Sequence, residues 1–245
     1  MTLDGWSKRY QEILNKFGYD IRRDIKAAKI LNSIVGNRLS PANIEKKIKG
    51  KTVFVIGAGP SLQQSISHLK KFRKVTKIVA DSATDILLEH GIKPDIVVTD
   101  LDGDLDALKK ASYKAVMVVH AHGDNMRTLP FAYFFKRCIG TTESEPFGNI
   151  QNYGGFTDGD RCVFLARHFG ANKIVLFGMD FGLKIGSSSK TSRDDKSVKL
   201  KKLRMAKSLL EWLALKNRAG LYTTSSRISG FRKIRFADLR GLVRT

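Results

Sequence analysis

Short apolar runs alternate with helical segments along the middle of the chain, and this alternation restricts the fold more than any other feature. The run TVFVIG precedes the helical SLQQSISHLKKF, and KIVAD precedes SATDILLEHG. Strands alternating with helices of this length are typical of parallel sheets with helices on both faces. The sequence therefore predicts an α/β fold with a doubly wound, mostly parallel sheet. The predicted strands are 52–57, 77–81, 95–100, 115–122, 137–142 and 173–180, with 220–226 a candidate for one more.

Segments at both ends of the chain depart from this pattern. Residues 6–35 repeat apolar side chains at spacings of three and four, which predicts an N-terminal helical segment. Residues 182–197 are polar and rich in Gly and Ser, which predicts a mobile loop, and 198–217 form a basic amphipathic helix pattern. We therefore divide the chain into a helical segment (1–50), an α/β catalytic domain (51–183) and a basic C-terminal extension (184–245) packed on the same domain.

Positive charge is concentrated in the flanks. The chain carries 44 Lys and Arg against 23 Asp and Glu, a formal net charge of +21. Residues 184–245 hold 17 basic and 4 acidic residues, whereas 51–183 hold 16 and 14. Basic flanks fit a phosphate-rich partner, either a nucleic acid or a polyanionic small substrate, and they equally fit a solvated surface.

The sequence lacks the usual marks of export or membrane insertion. No run approaches the roughly 18 apolar residues that a transmembrane helix needs, and the polar start MTLDGWSKRYQEIL does not resemble a signal peptide. Cys138 and Cys162 have no paired or metal-like spacing, which favours free buried thiols in a reducing compartment. We expect a cytoplasmic protein without a membrane partner. The oligomeric state is open, with a homodimer as one candidate.

Polar or glycine-rich groups follow nearly every predicted strand. In doubly wound sheets, ligands bind outside the carboxyl ends of the strands, so the groups at these ends are candidates for one shared site. The sequence therefore predicts that the carboxylates of the core gather where a ligand binds. The groups are Gly57–Ser61, Asp81, Asp100 with Asp102, His120–Asn125, Thr141–Glu143, and Asp180.

A glycine turn, GAGPS, separates the first predicted strand from its helix. Small residues allow the backbone to approach a phosphate, and a helix N-terminus offers free N–H groups and a favourable dipole. Ser61 is also placed to cap the helix. Leu62 stands where the full dinucleotide fingerprint has a third glycine, so a tight structural turn stays as the alternative.

The run PDIVVTDLDGDLDALKK holds five aspartates in a strongly basic chain. Asp100 and Asp102 lie two residues apart at a predicted strand end, so both carboxylates can face one hard cation. A magnesium ion bound to nucleotide phosphates would neutralise the negative charge of this pair. The alternative is a solvated acidic turn, which suits Asp104 and Asp106 at a helix start.

The segment HAHGDN resembles the start of a dinuclear zinc motif, HxHxDH, with Asn125 in place of the last histidine. The chain has five histidines, too few to complete such a centre easily. Asp124 is therefore a candidate magnesium ligand. His120 and His122 either hydrogen-bond phosphate or pack in the core.

The segment GGFTDGDR combines a helix start with two carboxylates. Thr157 with Asp160 three residues later is a variant of the capping box. Asp158 and Asp160, and separately Asp180, could instead accept hydrogen bonds from the N–H groups of a heteroaromatic substrate. Both interpretations are kept.

The chain resembles the archaeal 6-hydroxymethyl-7,8-dihydropterin pyrophosphokinase family in six segments, taken in order: GAGPS, ADSATD, PDIVVTDLDGD, HAHGDN, GGFTDGDR and LFGMDFG. That family shares a domain with motility accessory factors that modify flagellin and is similar to thiamin pyrophosphokinase. The resemblance covers about residues 51–183, and WSKRYQEILNKFGYDIRRDIKAAKIL extends it. It implies magnesium-dependent transfer of pyrophosphate from ATP to a reduced pterin, with release of AMP, in folate or methanopterin-type cofactor synthesis.

The resemblance also implies roles for individual residues. Asp100 and Asp102 match the metal aspartates of the thiamin pyrophosphokinase signature P-D-x-x-x-G-D-x-D-S. Thr99 and Gly103 stand where that signature has Gly and Ser. The resemblance implies Asp81, Asp100, Asp102 and Asp124 as metal ligands. The working hypothesis built on it takes Asp100, Asp102 and Asp124 as catalytic, assigns Gly57, Gly59, Pro60, Ser61, Asn125 and Arg127 to ATP, and keeps Thr157, Asp158, Asp160 and Asp180 as the candidate pterin contacts.

Three other functions stay open on the sequence. A Rossmann-type oxidoreductase or methyltransferase would use Asp81 to bind a ribose hydroxyl, but it leaves the Asp100 and Asp102 pair without a role. A metal-dependent glycosyltransferase, as among the flagellar relatives, could also use D-x-D. An RNA-binding protein would use the basic flanks, with binding that fades as salt rises.

Overall fold

The computed structural model of the 245-residue chain describes residues 3–182, 193–216 and 220–243. Nine strands in these residues form a single sheet, and every pair of neighbouring strands is parallel. The strands are β1 (Thr52–Ile56), β2 (Thr76–Ala80), β3 (Ile96–Thr99), β4 (Val116–Ala121), β5 (Cys138–Thr142), β6 (Ile150–Gln151), β7 (Lys173–Phe177), β8 (Gly220–Thr223) and β9 (Arg232–Lys233).

Helices connect the strands and extend the chain at its start. The α-helices are α1 (Trp6–Phe17), α2 (Ile21–Val35), α3 (Ala42–Ile48), α4 (Leu62–Leu69), α5 (Asp81–Glu89), α6 (Leu105–Ser112), α7 (Asp158–His168), α8 (Arg193–Leu215) and α9 (Leu239–Val243). Short 3₁₀ helices lie at Leu129–Phe134 and Phe236–Asp238. In the described part of the chain, no helix has the length and apolar character needed to span a membrane.

Side chains of the central strands alternate between two buried layers, as expected for a sheet covered on both faces. On β1, Val53 and Val55 pack in a cluster with α1, α3, α7 and α8. Phe54 and Ile56 point the other way, into a cluster with α4 and α5. A third cluster joins α2 and α6 to β4. The predicted doubly wound α/β fold is confirmed.

The strand order reverses beside β1. The sheet runs β6-β5-β4-β3-β2-β1-β7-β8-β9, so the chain first winds outwards from β1 to β6 and then continues on the opposite side from β7. Loops after strands diverge at such a reversal and leave a crevice at the carboxyl edge. The loops after β1 and β7 meet there, where the Gly59 N–H donates to the Gly178 carbonyl at 2.8 Å.

Three local features differ from the prediction. The N-terminal helical segment is two helices, because the chain turns at Gly18 (φ 69°) and Asp20 then caps α2 by accepting from the Arg22 N–H. Helix α8 begins at Arg193, so 193–197 are helical, while 183–192 of the predicted loop lie outside the described residues. The two-residue strands β6 and β9 were too short to predict, whereas β8 confirms the candidate strand at 220–226.

Candidate active site

Four carboxylates meet at the carboxyl edge of the sheet. Asp81 opens α5 directly after β2, Asp100 and Asp102 follow β3, and Asp158 is the first residue of α7. One oxygen from each lies within 4.8 Å of the others. Carboxylates this close repel one another unless a proton or a cation neutralises part of their charge. We call Asp81, Asp100, Asp102 and Asp158 the acidic cluster.

An unusual backbone turn aims the two aspartates of the D-x-D segment. Leu101, between them, has φ 67°, a left-handed conformation that costs about 1–3 kcal/mol for a residue with a side chain. Its buried side chain packs in the core, and its N–H donates to Thr99 Oγ1 at 2.8 Å. The Thr99 hydroxyl in turn donates to Asp81. Thr99 therefore ties the turn to a third carboxylate, a function that Gly could not serve.

The absence of a side chain at residue 103 has a clear steric reason. A Cβ atom built on Gly103 would overlap the carboxylate of Asp81. The serine found here in the thiamin pyrophosphokinase signature therefore does not fit this site as it is arranged. The close approach of the Gly103 backbone is part of how Asp81 is held.

Two residues after β4 support Asp100. His122 Nδ1 accepts from the Asp124 backbone N–H at 3.3 Å, so Nε2 carries the proton and donates to Asp100 Oδ2 at 3.3 Å. The Asn125 amide donates to the carbonyls of Asp100 and His120, each at 2.7 Å, and accepts from the His122 N–H. Because both amide hydrogens are used inside the protein, Asn125 positions the loop and does not offer the predicted phosphate contact.

The four carboxylates differ in acidity. Burial acts to raise the pKa of Asp100, but the hydrogen bond from His122 and the charge of Arg161 outweigh it and lower that pKa. Burial raises the pKa of Asp81 to about 7, and burial with the charge of Asp100 raises the pKa of Asp102 to about 6. Burial also raises the pKa of Asp158. The cluster therefore accepts protons readily when no cation is bound.

A buried ion-pair network adjoins the cluster. Arg161, one turn beyond Asp158 on α7, donates from Nη1 to Asp158 at 3.1 Å and from Nη2 to Glu143 at 2.5 Å. Glu143 also lies 3.5 Å from His120 Nε2, and burial lowers the pKa of His120 well below its ordinary value. Glu143 belongs to the strand-end group predicted for the shared site, and Arg161 to the predicted helix start, but their ion pair with each other was not predicted, because it joins two segments that lie apart in the sequence.

A cavity of about 110 Å³ opens beside these groups. Tyr19 and Phe156 form part of its wall, with ring centroids 6.4 Å apart. Asp24 also lines it and accepts from Tyr10 Oη at 2.5 Å and from the Gly123 N–H at 2.7 Å. Further lining residues are Asp100, His122, Glu143, Arg161 and Lys202. The cavity therefore combines aromatic surface, carboxylates and cations next to the acidic cluster.

Asp124 and Arg127 lie apart from the acidic cluster. The Asp124 side chain is 57% exposed at the cavity rim and pairs with Arg23 Nη2 at 3.3 Å. Arg127 is exposed on the same loop. The fourth clustered carboxylate is Asp158, which the sequence assigned to the pterin. The reason is topological: α7 packs across β1, β2 and β3, which brings its N-terminus to the carboxyl ends of these strands.

Thr157 and Asp160 form the capping box of α7. The fully buried Asp160 accepts from the backbone N–H groups of Phe156 and Thr157, at 2.7 and 2.8 Å, and from the Thr157 hydroxyl at 2.5 Å. Both carboxylate oxygens are thus used in holding the helix start. The capping interpretation of these two residues fits the geometry, and neither residue lines the cavity described above.

The glycine turn is closed by a carboxylate of the chain itself. Asp180 Oδ2 accepts from the Ser61 N–H and from the Ser61 hydroxyl, both at 2.8 Å. Ser61 therefore binds Asp180 and does not cap α4 through its side chain. Asp180 thus lies against Gly59 and Ser61 and joins the loops after β1 and β7. A phosphate contact by Gly57, Gly59, Pro60 and Ser61 stays a prediction.

The acidic cluster fits a hard divalent cation. Asp81 Oδ1 and Asp100 Oδ1 are buried and have no hydrogen-bond partner among the described residues. Buried oxygens without partners are costly, and a cation would satisfy them. A set made only of carboxylate oxygens suits Mg²⁺ or Ca²⁺ rather than zinc, which favours nitrogen and sulfur.

Known proteins similar to this chain agree on one family. The model of the family described as 6-hydroxymethylpterin diphosphokinase MptE-like matches residues 28–186. The 6-hydroxymethyl-7,8-dihydropterin pyrophosphokinase of Pyrococcus furiosus is 46% identical over 228 residues, 89% of this chain and 97% of the relative. The protein of the same name from Methanocaldococcus jannaschii is 40% identical, over 87% of this chain and 96% of the relative.

A solved structure supports the fold. The MAf glycosyltransferase from Magnetospirillum magneticum AMB-1 superposes with a TM-score of 0.58 at 16% identity, over 87% of this chain and 39% of that protein. At that identity the likeness concerns the fold alone. The identities to the archaeal relatives and the matched family model confirm the resemblance predicted from the sequence: the chain belongs to the 6-hydroxymethylpterin diphosphokinase MptE-like family.

Proposed function

We propose that this enzyme transfers pyrophosphate from ATP to the hydroxymethyl group of 6-hydroxymethyl-7,8-dihydropterin and releases AMP, as a cytoplasmic step in folate or methanopterin-type cofactor synthesis. The observation that carries the proposal is the acidic cluster beside a cavity lined by aromatic and carboxylate side chains. The names of the archaeal relatives agree with a pterin acceptor and a pyrophosphate donor.

The acidic cluster would hold the Mg²⁺ that accompanies ATP, through Asp81, Asp100, Asp102 and Asp158. Bound there, Mg²⁺ would neutralise phosphate charge as it develops during transfer. In this proposal Thr99 and His122 keep the carboxylates in place, through their hydrogen bonds to Asp81 and Asp100. Arg161 limits the repulsion at Asp158.

The cavity suits the pterin ring. Tyr19 and Phe156 offer aromatic faces against which a flat heterocycle can pack. Glu143 and Asp24 line the same cavity. Because each carboxylate oxygen can accept more than one hydrogen bond, both residues can accept from the N–H groups of an amino-pyrimidinone edge in addition to their internal partners. We therefore assign pterin binding to these four residues rather than to Thr157, Asp160 and Asp180.

The reaction needs positioning more than covalent chemistry. The pterin hydroxyl attacks the β-phosphorus of ATP, the bond to the α-phosphate oxygen breaks, and AMP leaves with the electron pair. The hydroxyl proton passes to a carboxylate of the cluster. The ion pairs of Arg161 hold the start of α7 between the cavity and the acidic cluster. This arrangement keeps the pterin hydroxyl in line with the β-phosphorus of ATP.

Product analysis tests the proposal. Incubation with ATP, Mg²⁺ and 6-hydroxymethyl-7,8-dihydropterin is expected to yield AMP and pterin pyrophosphate in equal amounts, and neither product should form without the pterin. Formation of ADP, or activity that needs a nicotinamide cofactor or S-adenosylmethionine, would contradict it.

A further inference from the structure

We propose that the basic helix α8 is a phosphate-binding arm of this active site, in which Lys199 and Lys202 bind the polyphosphate of the donor nucleotide. The proposal rests on the proposed function and deepens it. It also gives a role to the basic C-terminal extension. On the sequence alone, the positive charge of this extension fitted either a phosphate-rich partner or a solvated surface.

Helix α8 is anchored on the helix that carries the site. Leu209, Leu210 and Leu213 are buried in the cluster that contains Phe164 of α7, and the Trp212 ring lies 6.2 Å from the Phe164 ring. These contacts fix one helix against the other. Lys202 of α8 thereby lies in the wall of the cavity.

Among the described residues that line the cavity, Lys202 is the cation without an ion pair. The cations that line the cavity are Arg23, Arg161 and Lys202. Arg161 is held by Glu143 and Asp158, while Arg23 pairs with the carboxylate of Asp124 and donates to the Gly123 carbonyl. Lys202 has no hydrogen bond or ion pair within the described residues. Its Nζ lies 6.0 Å from the ring centroids of both Tyr19 and Phe156.

Lys199 lies three residues before Lys202, on the same face of the helix. Its side chain is partly buried, and burial lowers its pKa while the negative charge of Asp102 opposes that shift. Lys202 lines the cavity together with Asp100, and Lys199 experiences the charge of Asp102, so the two partly buried lysines add positive charge on the side of the site that α8 forms. ATP brings several negative charges to a cluster that is already acidic, so cations beyond the metal stabilise its binding.

Inorganic pyrophosphate with Mg²⁺ is the probe for this pair. Calorimetry should show that Lys202→Ala and Lys199→Ala each weaken pyrophosphate binding at least about tenfold, the loss of one charge-assisted hydrogen bond. Lys202→Arg, which keeps the charge, should retain most of the affinity. The matched control is Lys201→Ala, an exposed lysine on the same helix, which should bind pyrophosphate as the wild type does.

Kinetics separate phosphate binding from other roles. We expect both alanine variants to raise KM for ATP while KM for the pterin and the thermal midpoint stay near wild type. Unchanged pyrophosphate affinity in both variants, or a loss confined to the pterin, would overturn the inference. If the wild type bound pyrophosphate through these lysines yet formed no AMP, the proposed function alone would fail.

Discussion

At the scale of single residues, the main change concerns which carboxylate completes the acidic cluster that we propose as the metal site. Asp124 was the fourth ligand implied by the family pattern, yet its exposed side chain pairs with Arg23 at the cavity rim. Asp158 takes its place in the acidic cluster. No local pattern links residue 158 to residues 100 and 102, because their proximity depends on how α7 packs across the sheet.

Matched asparagine variants of Asp158 and Asp124 test which of the two carboxylates belongs to the acidic cluster's function. Asp158→Asn removes one carboxylate ligand of the proposed Mg²⁺ from the acidic cluster, so we expect kcat to fall at least about 100-fold, the scale of losing a preorganised electrostatic contact. Asp124→Asn changes an exposed rim residue and should leave kcat within about threefold. Similar losses in both variants, or a larger loss in Asp124→Asn, would contradict the assignment of Asp158 in place of Asp124 to the proposed metal site.

Gly103→Ala tests the steric account of the D-x-D turn. The added methyl must displace the carboxylate of Asp81, so we expect the variant to lose about 1–3 kcal/mol in the free energy of unfolding and to bind Mg²⁺ more weakly. Gly241→Ala is the control, because nothing lies within 4 Å of a Cβ there. Equal stability of the two variants, measured by urea unfolding, would refute the account.

At the scale of elements, much of the layout could be predicted. The apolar runs located β1 to β5 and β7, and the spacing of Thr157 and Asp160 indicated the cap of α7. The break between α1 and α2 was not predicted, because apolar periodicity continues across Gly18. That break matters to the site, since it places Tyr19 and Asp24 at the cavity. Phe156 likewise reaches the cavity through tertiary contacts that local patterns do not encode, whereas Glu143 was among the strand-end groups predicted for the shared site.

The start of α7 gives a test that separates capping from substrate binding. Thr157→Ala removes one partner of the capping box, so we expect it to cost about 1 kcal/mol in the free energy of unfolding. KM for the pterin should stay close to the wild-type value. A raised KM with unchanged stability would instead show that Thr157 contacts the substrate.

At the scale of the whole molecule, the acidic cluster links stability to pH. Burial and neighbouring charge raise the pKa values of Asp81 and Asp102 to about 7 and 6, whereas an unfolded Asp titrates near 3.9. Between these values the folded protein binds more protons than the unfolded chain, so this contribution to stability is lost as pH rises from about 4 to 7.

Thermal unfolding with and without Mg²⁺ isolates this effect from the titration of the rest of the chain. We expect the stabilisation given by saturating Mg²⁺ to grow as pH rises from about 5 to 8, because the cation replaces the protons that the cluster loses. Asp81→Asn, which cannot titrate there, should weaken this dependence. A stabilisation by Mg²⁺ that is independent of pH would contradict the account.

The central claim is that the acidic cluster promotes transfer of the β- and γ-phosphates of ATP to a pterin. Its most direct test follows ATP labelled at the β-phosphorus in wild type, Asp100→Asn and Asp124→Asn at saturating Mg²⁺. The account predicts label in the pterin product for wild type and Asp124→Asn, and almost none for a correctly folded Asp100→Asn. Transfer at the wild-type rate by Asp100→Asn, or label that stays with the nucleotide in the wild type, would contradict it.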